Sequence, residues 1–448
     1  MPILNPSRPL MAAILLASLA GAARSDDWPQ WGGPNRDGVW REKGIVTKLP
    51  EKLKVVWRAP VGGGYAGPAI AGDDLIVMDR QLRSGEKNPD DPFKRDPIGG
   101  AERVLCFDAK TGAPKWTHEY PCQYRISYAN GPRATVAIDG DRVYALGAMG
   151  DFFCLNRADG KPVWSKNFLR DFGCKVNAWG TSSAPLVDGD QVIAVVGGKP
   201  NACVVSFDKR TGAEKWRALE STDFGYCSPV IIEAGGARQL IVWTPTELAS
   251  VDPAAGKVYW RIPFPIKHGM TIATPIHDPK RNLLFVTAFY SGPMMVRLAA
   301  DKPAAEILWK GKSDSEMKTD GLHAVMCTPV FKDGLIYGVC SYGEFRCLDA
   351  ETGERKWESL APTGKARWSN AFITPHDDRY FLANERGDLI LAKLSPSGYE
   401  EISRAKLLAP TSVASGRRKV VWSHPAYAQG RVFARNDQEL ICVDISAP

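Results

Sequence analysis

Three features of this 448-residue sequence predict an all-β fold, an eight-bladed β-propeller of four-stranded antiparallel blades. Tryptophan recurs at Trp57, Trp116, Trp164, Trp216, Trp260, Trp309 and Trp357, at intervals of 44 to 59 residues, the length of one small sheet per repeat. Five of them end a fixed frame in which an Asp or Asn is followed four positions on by Gly and after four more by Trp. The chain also begins and ends on complementary fractions of a repeat, which predicts closure of the ring by its two ends.

The first residues read as an address. Arg8 precedes an apolar run from Leu10 to Ala20, and Ala20-Gly21-Ala22 is a small-x-small site, so residues 1–23 are expected to be a secretory signal. Residues 24–448 are then one propeller domain, exported to the periplasm or the exterior and soluble after cleavage. No cysteine stands at the cleavage site to carry a lipid, and no later apolar run is long enough to span a bilayer.

Lys54-Val55-Val56-Trp57 is a Trp-bearing strand with no turn before it. Each repeat then opens with a small residue and Pro, as at Gly67-Pro68, Ala184-Pro185 and Thr328-Pro329, leading into a short strand. A turn such as Asp139-Gly140 starts a second strand, and a third ends on the Asx position, as in Phe345-Arg346-Cys347-Leu348-Asp349. The turn that follows reads Asp108-Gly112-Trp116, Asn156-Gly160-Trp164, Asp208-Gly212-Trp216, Asp252-Gly256-Trp260 and Asp349-Gly353-Trp357. There the Asx side chain caps its own backbone and Gly takes the positive φ of a bulged hairpin, while the outgoing strand carries a Trp expected to be buried between blades. Gly398 to Ile402 keeps the spacing without the Trp, and before Trp309 the turn is replaced by Asp301-Lys302-Pro303. The last repeat stops at Asp444 without a fourth strand, which residues 54–57 are expected to supply.

The first repeat carries an insertion, residues 80–103, between its second and third strands. It is polar and too long for a tight turn, so it reads as a lid or partner-contact loop over the channel mouth, with a disordered solvated loop as the alternative. Its Asp90, Asp91 and Asp96 lack the spacing of a calcium loop. Of ten cysteines, several occupy equivalent strand positions in different blades, where they act as small buried hydrophobes; Cys122 and Cys174 are the one pair placed to be tested for a disulfide. The sequence has no Cys-x-x-Cys-His, which excludes a covalent c-type haem in this chain, and no adjacent cysteines. A net charge of +7 dispersed over the repeats gives no footprint for nucleic acid.

The Asp-x-x-Thr-Gly-x-x-x-Trp turn, literal at 108–116, 208–216 and 349–357, resembles the pyrroloquinoline-quinone (PQQ) type propeller repeat, over a stretch from about Trp28 to Asp444. The opening Trp28-Pro29-Gln30-Trp31-Gly32-Gly33-Pro34 is similar to that of exported PQQ-like repeat proteins. This resemblance implies one of two functions. Non-enzymatic scaffolds of the repeat, such as the outer-membrane assembly protein BamB, imply a protein-binding role in the envelope. Quinoprotein alcohol and sugar dehydrogenases imply PQQ and Ca²⁺ as cofactors with an Asp base. No stretch allows those ligands to be carried over, so no catalytic, metal or cofactor residue is assigned, and the binding scaffold is the reading adopted.

Propeller topology places the residues before each small-Pro step around the channel mouth. These are Tyr65, Tyr128, Asn130, Arg133, Asn177, Trp179, Tyr226, His268, His323, Trp368, Asn370, Trp422 and His424. Aromatic faces at Tyr128, Trp179, Trp368 and Trp422, with Asn130, Arg133, Asn177 and Asn370 as polar fixers, suit a planar or sugar-like ligand, or a protein partner. The alternative is that the rings pack the narrow inner end of the propeller.

Overall fold

The computed structural model describes residues 26–221 and 224–448; the expected signal segment, 1–23, lies outside them. Eight four-stranded antiparallel sheets follow one another around a ring. Blade 1 consists of Ala69–Ala71, Asp74–Leu82, Gly100–Asp108 and Pro114–Pro121, and blades 2 to 7 span residues 137–167, 186–218, 230–263, 276–310, 330–359 and 371–406. Blade 8 takes Ala426–Ala428, Arg431–Arg435 and Glu439–Asp444 from the C-terminus and Lys54–Pro60 from the N-terminus. The closing pair runs from Lys54 opposite Asp444 to Pro60 opposite Glu439, as the two incomplete repeats predict.

The middle strands read as near-continuous apolar runs because a blade packs on both faces. Gln191–Gly198 is buried along its whole length. The turns have the expected chemistry: Asp108 Oδ1 accepts from the amides of Lys110 (3.0 Å) and Thr111 (2.8 Å) and from the Thr111 hydroxyl (2.9 Å), and Gly112 sits at φ +73°.

Six of the seven repeat tryptophans lean on the turn of the following blade. The indole N–H of Trp57 donates to Ala109 O (3.1 Å), that of Trp116 to Arg157 O (2.8 Å), Trp164 to Lys209 O (3.2 Å), Trp216 to Pro253 O (3.1 Å) and Trp309 to Ala350 O (2.8 Å). In these five the ring lies flush on the turn glycine. A Cβ added to Gly160 would stand 2.4 Å from Trp116, and one added to Gly112, Gly212 or Gly256 would stand 2.7 Å from the preceding blade's indole. The glycine is thus required twice, for left-handed backbone and for indole contact. Where blade 5 has lost this turn, Trp260 bonds its own blade instead, donating to Gln239 Oε1 (2.8 Å). The expectation of full burial holds for Trp216 and Trp260, 8% and 9% exposed, but Trp116, Trp164 and Trp357 are only half-buried, because the outer strand leaves one ring edge to solvent.

The ten cysteines are all free and buried. Cys122 and Cys174 are not bridged: Cys122 packs beside Tyr124 and Ile126 and Cys174 beside Phe168 and Phe172, in separate clusters.

Two outcomes are expected. Gly160→Ala should destabilise by more than the about 1–2 kcal/mol of left-handed strain, and in a Trp116→Ala background the excess should vanish; denaturant unfolding of the four-member cycle should give a coupling above about 0.5 kcal/mol, and additivity would refute the contact. The ring closure should be acid-sensitive. Although burial opposes it, hydrogen bonds from Lys54 Nζ and from the Ser446 hydroxyl and amide bring the Asp444 carboxyl from the ordinary 3.8 to about 2. Its stabilisation is therefore complete above pH 3.8 and lost as the pH falls through about 2, so the melting-temperature gap between wild type and Asp444→Asn should close over that interval.

Candidate functional site

Within a blade the 4-to-1 connections and the loop between strands 2 and 3 emerge on one face, and the channel runs from that mouth face to the hairpin-turn face. At the far end the N-terminal segment acts as a stopper. Trp31 donates its indole N–H to Thr274 Oγ1 (3.1 Å) and meets His424 edge-on at 4.5 Å between centroids. Arg36 reaches across to the carbonyls of Pro185 (2.9 Å) and Pro229 (3.2 Å) in two other blades.

Above the stopper lies a chamber with about 180 Å³ open to the centres of water-sized molecules. Eight of the expected site residues line it: Tyr65, Tyr128, Arg133, Trp179, Tyr226, Trp368, Trp422 and His424, together with apolar walls at Met270, Ile272, Val325 and Met326. Its roof is an aromatic cluster. Tyr128 lies 5.8 Å from Trp368 and 5.6 Å from Trp422, and the two indoles are 6.3 Å apart. The rings pack on one another rather than standing open at the surface, and all three are buried. Tyr128 (φ 55°) and Trp368 (φ 63°) hold left-handed backbone, unusual for bulky side chains. The first is tied by its amide to Pro92 O (2.6 Å) and the second to Ser341 O (2.8 Å).

The insertion covers this roof. Its ends extend the hairpin, with strands running to Leu82 and from Gly100, and the loop proper is 83–99. The loop is tethered: Arg80 donates to Ala129 O (2.7 Å) and Ile98 O (2.9 Å), Ser127 Oγ donates to Phe93 O (2.9 Å), and Phe93 sets its ring 5.2 Å from Tyr128 and 5.6 Å from Trp368. The buried Glu102 carboxyl at the base accepts from the Tyr120 and Tyr124 hydroxyls, and burial raises its pKa.

The remaining expected residues lie elsewhere. Asn130 faces a neighbouring polar groove, donating to Asp437 Oδ2 (3.0 Å) and accepting from Asn88 (3.2 Å). The Asn177 carbonyl accepts from the Gly180 amide (3.1 Å). Asn370 is buried behind the roof, its carbonyl accepting from Glu385 N (3.0 Å). His323 is buried between Phe289 O (3.1 Å) and Asp320 Oδ1 (3.2 Å), and His268 is exposed on the mouth face, edge-on to Tyr290. Trp31 lines the chamber and Phe93 covers its roof without having been expected; Phe93, the only aromatic of a polar insertion, was the available signal.

Among the described residues no group of three His, Cys, Asp or Glu side chains could hold a metal ion, and no helix is long and apolar enough to cross a membrane. The chamber lining contains no carboxylate and no side-chain amide. A Ca²⁺ ion takes six to eight oxygen ligands that include carboxylates, and PQQ adds three carboxylates of its own against a single Arg133, so these residues do not fit a Ca²⁺-quinone pair.

The family profile described as outer membrane protein assembly factor BamB matches residues 100–300 and 280–447. The chain belongs to this family. It is 26% identical to the BamB of Burkholderia pseudomallei (strain K96243) over 235 residues, which are 51% of this chain and 52% of the relative; the chain thus spans about half the length of the curated relative it matches. The BamB structure from Moraxella catarrhalis superposes with a TM-score of 0.55 at 14% identity, covering 88% of this chain and 97% of that one. The quinohemoprotein alcohol dehydrogenase of Comamonas testosteroni superposes with a TM-score of 0.63 at 13% identity, covering 96% and 82%. At these identities the structural likenesses establish the propeller fold that BamB-family chains share with dehydrogenases.

Proposed function

We propose that this BamB-family propeller is an exported binding scaffold of the cell envelope whose mouth face docks a protein partner. The observation that carries the reading is where the exposed large apolar side chains stand. Leu82, Phe93, Leu169, Met317, Leu360 and Val413 all belong to the mouth face, whereas Val55, Val56, Val163 and Ile307 lie on outermost strands. Single exposed apolar residues are ordinary, but six of these ten gather on one face, none stands on the hairpin turns of the other, and Met317 is 73% exposed, which supports reading the mouth face as an interaction surface. A rigid ring that fixes the spacing of such loops is a scaffold in the physical sense. The outer-membrane assembly role named for the relatives supports placing the partner in the envelope. The dehydrogenase reading rests on the sequence resemblance, the aromatic mouth and fold likeness, and it meets a chamber whose donor set suits neither Ca²⁺ nor a multiply charged quinone.

A photo-crosslinking residue at Met317 or Leu360 should capture a discrete protein partner in envelope preparations, and one at Thr211, on a turn of the opposite face, should not. Equal capture from both faces, or none from Met317, would defeat the proposal. Purified protein given PQQ and Ca²⁺ should show no alcohol- or sugar-dependent reduction of an artificial electron acceptor; turnover would promote the dehydrogenase.

A further inference from the structure

The chamber leaves hydrogen-bond donors and a positive charge without an answer. The Tyr65 hydroxyl and the Trp368 indole N–H are buried with no partner, whereas the neighbouring Trp422 N–H is satisfied by Glu385 Oε2 (2.9 Å). Arg133 is the one side chain lining the chamber that carries a full charge. Its terminal nitrogens are held by the carbonyls of Gly131 (2.8 Å), Ser127 (2.9 Å) and Tyr128 (2.6 Å), its guanidinium lies 5.2 Å from the Tyr65 ring, and it forms no ion pair among the described residues. His424 does not add to the charge: burial pushes it down to about 4, and its Nε2 is engaged by Thr135 Oγ1 (2.7 Å). A half-buried cation held only by carbonyls at a largely apolar chamber gains from an anion beside it, and unpaired buried donors call for acceptors. The walls are flat rings and thioether or aliphatic side chains. The strained backbone at Tyr128 and Trp368 is held by hydrogen bonds that their amides donate to loop carbonyls, the kind of strain that persists at binding sites.

We infer that the chamber binds a small planar aromatic monocarboxylate, its ring against the roof aromatics and Met270 and its carboxylate on Arg133 and the Tyr65 hydroxyl. One positive charge and a lining without carboxylates match one carboxylate and no metal. The inference rests on reading the propeller as a binding module, and it concerns the chamber beneath the roof rather than the loop tips that meet a protein partner.

The test is titration of the full propeller with 2-naphthoate, followed by tryptophan fluorescence and calorimetry, beside 2-naphthamide, which has the same ring without the charge. The acid should bind saturably at one site and quench tryptophan emission, with the amide at least tenfold weaker. Tyr65→Phe, which keeps the ring and its packing, should weaken the acid about tenfold, as expected for a hydrogen bond to a charged group. Arg133→Gln should abolish the preference for acid over amide. Absence of saturable binding, equal affinity for acid and amide, or unchanged binding by Tyr65→Phe would overturn the inference. So would displacement of naphthoate by lower concentrations of PQQ with Ca²⁺, which would assign the chamber to a quinone. Crosslinking from Met317 reads the loop tips, so partner docking and the chamber ligand fail separately.

Discussion

The contact on which most of the ring is built, made at five of its eight junctions, is an indole resting on the turn glycine of the next blade. A single four-stranded sheet cannot bury both of its faces, and the blade-to-blade interface does this only if neighbours meet at a fixed angle and distance. Trp116 over Gly160 and Trp164 over Gly212 set that distance at the outer rim, where an indole N–H also answers a turn carbonyl that would otherwise face apolar surface. The same geometry operates across the joined ends, Trp57 over Gly112, so closure uses the interface that builds the rest of the ring. At blade 5 the turn is gone, and Trp260 keeps only the bond to its own sheet, to Gln239, where Trp216 bonds both its own Gln191 and the next turn at Pro253.

Closure has a consequence for the channel. Bringing Lys54–Pro60 into blade 8 leaves the preceding segment to run under the hairpin-turn face, where Trp31 and Arg36 enter the channel from below. The long 2–3 loop of blade 1 and the 4-to-1 loops enter from above. What is an open hole in a bare ring becomes a chamber stoppered at one end and roofed by Tyr128, Trp368 and Trp422 at the other. The roof rings are stabilised by mutual edge and tilted contacts, and Phe93 covers them in turn. The two faces of the propeller therefore differ in kind, one built of short regular turns and the other of long loops bearing apolar tips. The binding we propose belongs to the second.

Family membership and chemistry here come from different observations. The repeat, read as spacing, leads to the BamB family and to a fold that dehydrogenases share. By our proposal the two divide at the chamber, since a Ca²⁺-quinone pair calls for carboxylate oxygens and several cations and this lining offers one arginine among rings, hydroxyls and thioethers.

The sequence by itself determined the architecture, because a repeat writes the same local rules many times. Asx-Gly-Trp spacing, the small-Pro step and the unpaired terminal strands are each local signals, and their recurrence gives blade number, strand order and closure. It also located eight of the chamber residues, since repeat-equivalent positions must surround the axis. Only the tertiary structure decided which of those side chains face the chamber. Asn130, Asn177 and Asn370 hold repeat-like positions, yet Asn130 turns to Asp437 and the Asn177 and Asn370 carbonyls accept from loop amides, because long loops take their course from neighbours in other blades. Trp31 and Phe93 entered the site from non-repeating segments, where no periodicity points inward. The half-burial of Trp164 and the free state of Cys122 and Cys174 likewise follow from distances between chain segments, which spacing along the sequence does not encode.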